Sequence, residues 1–323
     1  MEFKGIHHVS AITANATANL HFYTEVMGMR LVKKTVNQDA PSMYHLFYAD
    51  EAGTPGTELT FFEIPHAGVT RAGTNSISLT SLRVVSDDAL QFWQERFSKH
   101  GVEQEDIINR VGRQTLRFKD AEGQRLMLVS DETNEGVAGG TPREHEGIPK
   151  QFGITGLGPV TLTVANGDLT RRLIVEVLKF KQIATYPSLI DGQRNVVVYS
   201  TGEGGTGAEL ILEERTDLPT ERPGRGSVHH VALRVADQKE LSQWMERLTE
   251  MNVQHSGFID RFYFGSVYIK DSNGLTIEIA TDGPGFATDE PFETMGESLA
   301  LPPFLESRRE EIESRLKPLG GGQ

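Results

Sequence analysis

Apolar residues return along this chain in two rhythms. From Ile6 to Ile12 they fall in a short strand-like run, whereas Leu20, Tyr23 and Met27 recur at helical spacing within Asn15 to Met27. Gly28 supplies the stop for that helix. Three more strand-like runs follow, at Arg30 to Asn37, Met43 to Ala49 and Glu58 to Ile64, so the order is β-α-β-β-β. The same order returns from Ile77 to Val129, where Asp87 and Asp88 suit the positive N-terminal end of a helix over Ser86 to His100 and Gly101 closes it. A third copy runs from Gly156 to Glu213. A fourth runs from Ser227 to Thr281, its helix opening at Asp237 with Glu240 three residues on, a capping-box pattern. A unit of about fifty to sixty residues used four times is a repeat architecture.

Between the second and third copies, Asp131 to Lys150 is rich in Gly, Thr, Glu and Pro and shows no periodicity, which marks a linker. The expected organisation is an N-terminal domain over 1–135 built from modules one and two, a linker over 136–152, a C-terminal domain over 153–283 built from modules three and four, and a tail over 284–323. A charged helix is predicted within the tail from Phe304 to Leu316, packing over a module rather than forming a domain.

Composition narrows the field. A length of 323 residues suits two domains of ordinary size, and 37% hydrophobic with 24% charged residues is the make-up of a soluble globular protein. No apolar run is long enough to cross a bilayer, and the first residues lead straight into a strand without the apolar core of a signal peptide, so a cytoplasmic location is expected and no membrane partner. The chain has no cysteine, which removes disulfides, thiolate nucleophiles, zinc fingers and iron–sulfur clusters. A balance of 32 basic against 45 acidic residues, with the basic ones scattered, argues against nucleic acid.

The chemistry lies in what the repeats do not share. Modules one and four open on adjacent histidines, His7-His8 and His229-His230, where modules two and three carry Ser78-Leu79 and Gly158-Pro159. The scaffold therefore does not need them. Strand alternation places His229, Val231, Leu233 and Val235 on one face and His230, Ala232 and Arg234 on the other. By the same rule His7 and His229 point away from the face that carries His8 and His230. In the last strand of module four, Glu278 interrupts an apolar run on the face turned from the helix, and four residues on from the corresponding glycine the other modules have Thr60, Met127 and Ile211. A carboxylate on a central strand is costly unless it is paired or bound to a metal. His8, His230 and Glu278 together make the two-histidine, one-carboxylate set that leaves open positions on a non-haem Fe(II).

Four such modules with ligands on first and last strands resemble the vicinal-oxygen-chelate superfamily of glyoxalase I, extradiol dioxygenases and bleomycin-resistance proteins. The stretches GIHHVSAIT, VHHVALRVAD, RFYFGSVYIKDSNGLTIEIATDGPGF and DEPFETMGESLALPP resemble, more closely, the bacterial hydroquinone-type ring-cleaving dioxygenases, over essentially the whole chain. The resemblance implies an α+β fold of four βαβββ modules in two domains with half-barrel mixed sheets and a C-terminal tail helix. It also implies metal ligands at His8, His230 and Glu278, with His7, Ser10, His229, Arg261 and Tyr268 around them and Ser10 where the family more often has Thr. The implied reaction opens a hydroquinone-type or related dihydroxylated ring with O2, using Fe(II), or Mn(II) in its place. Arg261 would stabilise anionic oxygen and a tyrosine or histidine would move the proton. Partners would be a small aromatic diol and O2, while self-association stays open.

Two other readings share the fold: a glyoxalase-type isomerase or lyase using Zn or Ni without O2, and a non-catalytic aromatic-ligand binder of the bleomycin-resistance type. Thr60, at the place of an extra carboxylate, argues against a four-ligand glyoxalase centre. Gly202, Gly204 and Gly207 match a dinucleotide fingerprint, but the run that follows reads as a strand, so a hairpin loop is expected there.

Overall fold

The computed structural model describes residues 1–319. Module one supplies β1 (Ile6–Thr13), α1 (Ala16–His21), β2 (Arg30–Asn37), β3 (Ala40–Ala49) and β4 (Glu58–Glu63). Module two supplies β5 (Ser76–Val84), α2 (Asp87–His100), β6 (Ile108–Arg110), β7 (Arg113–Lys119) and β8 (Arg125–Ser130). Module three supplies β9 (Ile154–Val164), α3 (Gly167–Arg172), β10 (Lys181–Tyr186), β11 (Val196–Ser200) and β12 (Glu209–Glu214). Module four supplies β13 (Val228–Val235), α4 (Gln238–Glu250), β14 (Ile259–Asp260), β15 (Phe264–Lys270) and β16 (Thr276–Pro284). The fourfold repeat is therefore real, and the glycine-rich loop before β12 leads into a strand, as its sequence context required.

Local chemistry sets the helix ends. The Asn15 side chain accepts from the Ala18 N–H, and Ser86 from the Ala89 N–H. Asp237 accepts from the Glu240 N–H at 2.9 Å, while the Glu240 carboxylate reaches back to the Ala236 N–H at 2.8 Å, one residue earlier than a strict capping box. The first helix does not run evenly to Met27: after His21 it widens into a π turn over Phe22–Val26, and module three repeats this over Leu173–Val177. Gly28, at φ 68°, ends it.

The strands form two curled mixed sheets of eight, in the orders β14-β15-β16-β13-β1-β4-β3-β2 and β10-β11-β12-β9-β5-β8-β7-β6. Consecutive modules thus do not share a sheet, contrary to the pairing expected from the linker. Module one joins module four, and module two joins module three. In each sheet the seam is an antiparallel pair of opening strands, β1 with β13 and β5 with β9. Every opening strand offers the same free edge, so alternation alone does not say which two will meet. Consecutive modules do touch, but through their helices. Arg96 on α2 donates to the carbonyls of Glu25 and Val26, and Arg247 on α4 donates to those of Glu176 and Val177, one π-turn end each. The helix-facing sides of both sheets merge in one core that includes Val9, Leu82, Trp93, Val231, Trp244 and Ile277.

The tail crosses the first sheet. Phe286 and Met295 join Val32, Phe47, Phe264 and Ala280 in a cluster on the face away from the helices. The Lys33 ammonium, fully buried, pairs with Asp289 at 2.7 Å and with Glu290, and lies 4.7 Å from the Tyr263 ring centre. The expected terminal helix is two short segments, α5 (Pro303–Glu306) and α6 (Arg309–Arg315), and Leu305 and Ile312 pack on Val36 of β2. No helix among the described residues is long and apolar enough to cross a membrane.

Candidate metal centre

The seam of the first sheet brings the predicted ligands together. β1 and β13 place Ser10 opposite His230, and β13 and β16 run parallel with Ala232 beside Glu278. His8, His230 and Glu278 are 2%, 3% and 0% exposed, which is the burial expected of ligands and costly for anything else. His8 Nε2 lies 3.1 Å from His230 Nε2 and 3.2 Å from Glu278 Oε2, and His230 Nε2 lies 2.9 Å from the same oxygen. Three ligand atoms set about 2.1 Å from one ion and at right angles to each other stand about 3.0 Å apart, so this triangle fits one face of an octahedron. Glu278 Oε2 has no hydrogen-bond partner, while Oε1 accepts from the Ser266 hydroxyl. The orphaned oxygen is the one aimed at the two imidazoles, so the donor set fits a divalent cation. Burial would raise the Glu278 carboxyl, but the two histidines hold it well below the usual range.

The neighbouring histidines do reach the site, contrary to the strict alternation expected of them. The β1–β13 register breaks between Ile6 and Val9, and again between Ser10 and Ala11, whose partners are His230 and Val228. Both irregularities fall on the histidine pairs, and a bulge re-aims side chains locally. His8 Nδ1 meets His7 Nδ1 at 3.0 Å, and His230 Nδ1 meets His229 Nδ1 at 2.8 Å. His7 Nε2 also donates to the Thr281 carbonyl at 3.0 Å, so a neutral His7 accepts through Nδ1 from the His8 Nδ1–H, although the lowering of His7 by burial is outweighed by Glu58, which raises it. His8 then presents its Nε2 lone pair to the site. Such outer contacts fix the tautomer and orientation of a metal-binding imidazole. Burial lowers His8 to about 4 against the pull of Glu278, and lowers His229 to about 4. Behind His7, the Glu58 carboxylate lies 3.4 Å from Nδ1 and is raised by burial.

A cavity of about 50 Å³ opens beside the triangle, lined among others by Ser10, Phe47, Phe62, Phe264, Arg261 and Tyr268. Arg261 pairs with Asp39 at 3.1 Å and approaches the Tyr268 hydroxyl at 3.4 Å; burial works against its charge, but Tyr268 and Asp39 raise it overall. Tyr268 is raised by burial and by Glu278, so its hydroxyl keeps its proton. Ser10 is buried and hydrogen-bonds Thr60 at 2.7 Å, and Thr60 in turn meets His45 Nε2 at 2.9 Å. All the predicted residues therefore gather at one place, with His229 standing at its outer edge, exposed on one side.

His45 was not among them. It lines the cavity between the Phe47 and Phe62 rings, 4.0 and 4.1 Å away, and burial keeps it neutral well below its ordinary pKa. Its place on the same face of β3 as Phe47 was the available signal.

Against known proteins, the model of the Glyoxalase/Bleomycin resistance protein/Dioxygenase superfamily matches residues 5–128 and 156–279. The chain belongs to that superfamily. Within it, the chain is 50% identical over 99% of its length and 100% of the relative's to the protein named "Putative ring-cleaving dioxygenase MhqA" of Bacillus subtilis (strain 168). It is 29% identical to the chlorohydroquinone/hydroquinone 1,2-dioxygenase of Sphingobium indicum, over 96% of this chain and 94% of that one. The crystal structure of a "putative dioxygenase from Bacillus subtilis subsp. subtilis str. 168" superposes with TM-score 0.88 at 34% identity, covering 100% of this chain and 99% of that one. Glyoxalase I from Zea mays shares the fold, with TM-score 0.62 at 13% identity over 87% and 93% of the two chains.

The two matched stretches begin at 5 and 156 and end at 128 and 279, an offset of 151 at both ends. By that offset, Pro159, Leu79 and Met127 hold in the second sheet the places of His8, His230 and Glu278.

Proposed function

We infer that this protein is a metal-dependent ring-cleaving dioxygenase that uses Fe(II) to open a hydroquinone-type ring with O2. The observation that carries the reading is the buried His8–His230–Glu278 triangle with an unpartnered carboxylate oxygen at its apex, in a chain 50% identical over 99% of its length to the protein named "Putative ring-cleaving dioxygenase MhqA". Bound there, Fe(II) would supply open positions at which a dihydroxylated ring and O2 are brought together. Mn(II) accepts the same donors.

The chain's own residues do the rest. His7 and His229 hold the ligand imidazoles in the tautomer that faces the ion. Phe47, Phe62 and Phe264 give the cavity apolar walls against which a ring can lie. Arg261 stands where a fixed positive charge can stabilise a developing oxyanion. Tyr268, protonated and half-buried at the cavity wall, is the group placed to give a proton to the opening ring. His45, neutral and anchored through Thr60, adds an acceptor on the opposite side. A four-ligand glyoxalase centre would need a carboxylate at Thr60, whose hydroxyl is instead engaged with Ser10 and His45. A cytoplasmic site of action belongs to this proposal, in keeping with the lack of cysteine.

The test is anaerobic Fe(II) loading followed by an oxygen-electrode assay with hydroquinone, methylhydroquinone and catechol. Uptake of one O2 per ring opened, with a hydroquinone preferred, is expected. No uptake with any of the three, alongside Zn- or Ni-dependent isomerisation of a hemithioacetal, would replace the reading with the glyoxalase one.

A further inference from the structure

The second sheet has kept the curvature of the first and lost its metal ligands, but it is not filled. On the face that corresponds to the metal site lies a cavity of about 400 Å³, walled by Leu79, Met127, Ile211, Tyr186 and Ile190. A neighbouring cavity of about 330 Å³ shares Leu79, Arg117, Thr161, Glu213 and Arg215 with it. In the first sheet the tail residues Phe286 and Met295 pack onto this face. Such a volume lies within the range of small-molecule pockets.

One charged group in the cavity has no partner. Arg117 emerges from β7 opposite Met127, at the place that Tyr268 holds in the first sheet. Its Nε is buried without a hydrogen bond, and among the described residues its guanidinium makes no ion pair. The other charges facing the cavity are spoken for. Arg110 is bound to Glu105 at 2.6 Å, and Arg215 to Asp217 at 2.7 Å with Glu213 at 3.9 Å. Glu213 also accepts from the Thr163 hydroxyl at 3.3 Å. Burial and then the nearby Arg110 disfavour the charge on Arg117, and outweigh Glu105 and Glu213, which favour it. Half-buried in the cavity lining with Leu79, Met127 and Ile211, this guanidinium gains from an anion that completes it.

We propose that this cavity is a second, metal-free ligand site that takes a small planar monocarboxylate, an aromatic or conjugated acid. The carboxylate meets the Arg117 fork, which matches it in shape and charge. The hydrocarbon body lies on Leu79, Met127 and Ile211. Glu213 in the same cavity repels a second negative charge, which selects a monoanion over a dicarboxylate or phosphate ester.

The test is a calorimetric titration of the full-length chain with benzoate, metal-free and Fe(II)-loaded, with benzyl alcohol as the neutral counterpart. Expected are one benzoate site per chain that is indifferent to metal and alcohol binding at least about tenfold weaker. Arg117→Met should weaken benzoate by about tenfold or more while ring cleavage and melting temperature hold or improve. Leu79→Trp, which fills the cavity without touching the charge, should weaken it likewise. The proposal is overturned if no metal-independent site appears at millimolar benzoate, if both variants bind within twofold of the parent, or if Glu278→Ala rather than Arg117→Met removes the site.

Discussion

The two half-barrels have the same strand order and the same seam of opening strands, yet one gathers three ionisable ligands at that seam and the other places Pro159, Leu79 and Met127 there. Other polar features are common to both. Glu58 and Glu209, related by the offset, are each buried, and Arg234–Asp282 repeats Arg83–Asp131. What differs includes the triangle, the histidines behind it, Tyr268 against Arg117, and the tail that covers only the first sheet's face. The lesson is that this fold tolerates apolar residues at the seam, so histidines and a glutamate buried there must be maintained by something other than folding. On the proposed function, a bound cation would account for all three at once.

The contrast can be broken most severely at its apex. Glu278→Ala should abolish metal binding and O2 uptake in a chain that still folds, whereas Met127→Ala, at the matching place, should leave both intact and cost about 2 kcal/mol of stability in chemical unfolding. Next comes the strap. Lys33→Met strands Asp289 and Glu290 against the first sheet only, and by the cost of breaking a buried pair should lower unfolding free energy by about 3 kcal/mol. Hydrogen exchange should then loosen the tail and leave the second sheet unchanged. His7→Phe removes the acceptor behind His8 and should weaken metal affinity by about 10- to 100-fold, while Ser78→Ala, the counterpart of a change at His229, should do nothing.

The smallest expected effect is on pH dependence. His8, at about 4 when folded against 6.5 when free, refuses a proton that the unfolded chain accepts. The metal-free protein should therefore lose stability as pH falls from about 6.5 towards about 4, and the dependence should flatten in His8→Asn. A melting series at several pH values reads this directly. Metal loading should steepen the contrast by stabilising the neutral imidazole across the same window.

Much of this was legible in the sequence because the repeats act as internal controls: where three modules carry Thr60, Met127 and Ile211, a lone Glu278 stands out. The partnership of sheets was harder. The linker pointed to consecutive modules, but the ligand set already required β1 beside β13, and that requirement was the better guide. The role of His7 and His229 was obscured because alternation assumes an unbroken register, and the register breaks at both pairs. The cavity wall was hidden for another reason: Phe47, Phe62 and Phe264 are apolar strand residues, and nothing in their pattern separates a pocket lining from a core. His45 lay among them without a second histidine beside it to attract notice.

The most direct measurement of the central claim is an anaerobic Fe(II) titration of the full-length chain followed by metal analysis, run in parallel on the parent, Glu278→Ala and Met127→Ala. The account predicts one tightly held ion per chain in the parent and in Met127→Ala, and none in Glu278→Ala. Retention of the ion by Glu278→Ala, or its loss from Met127→Ala, would contradict it.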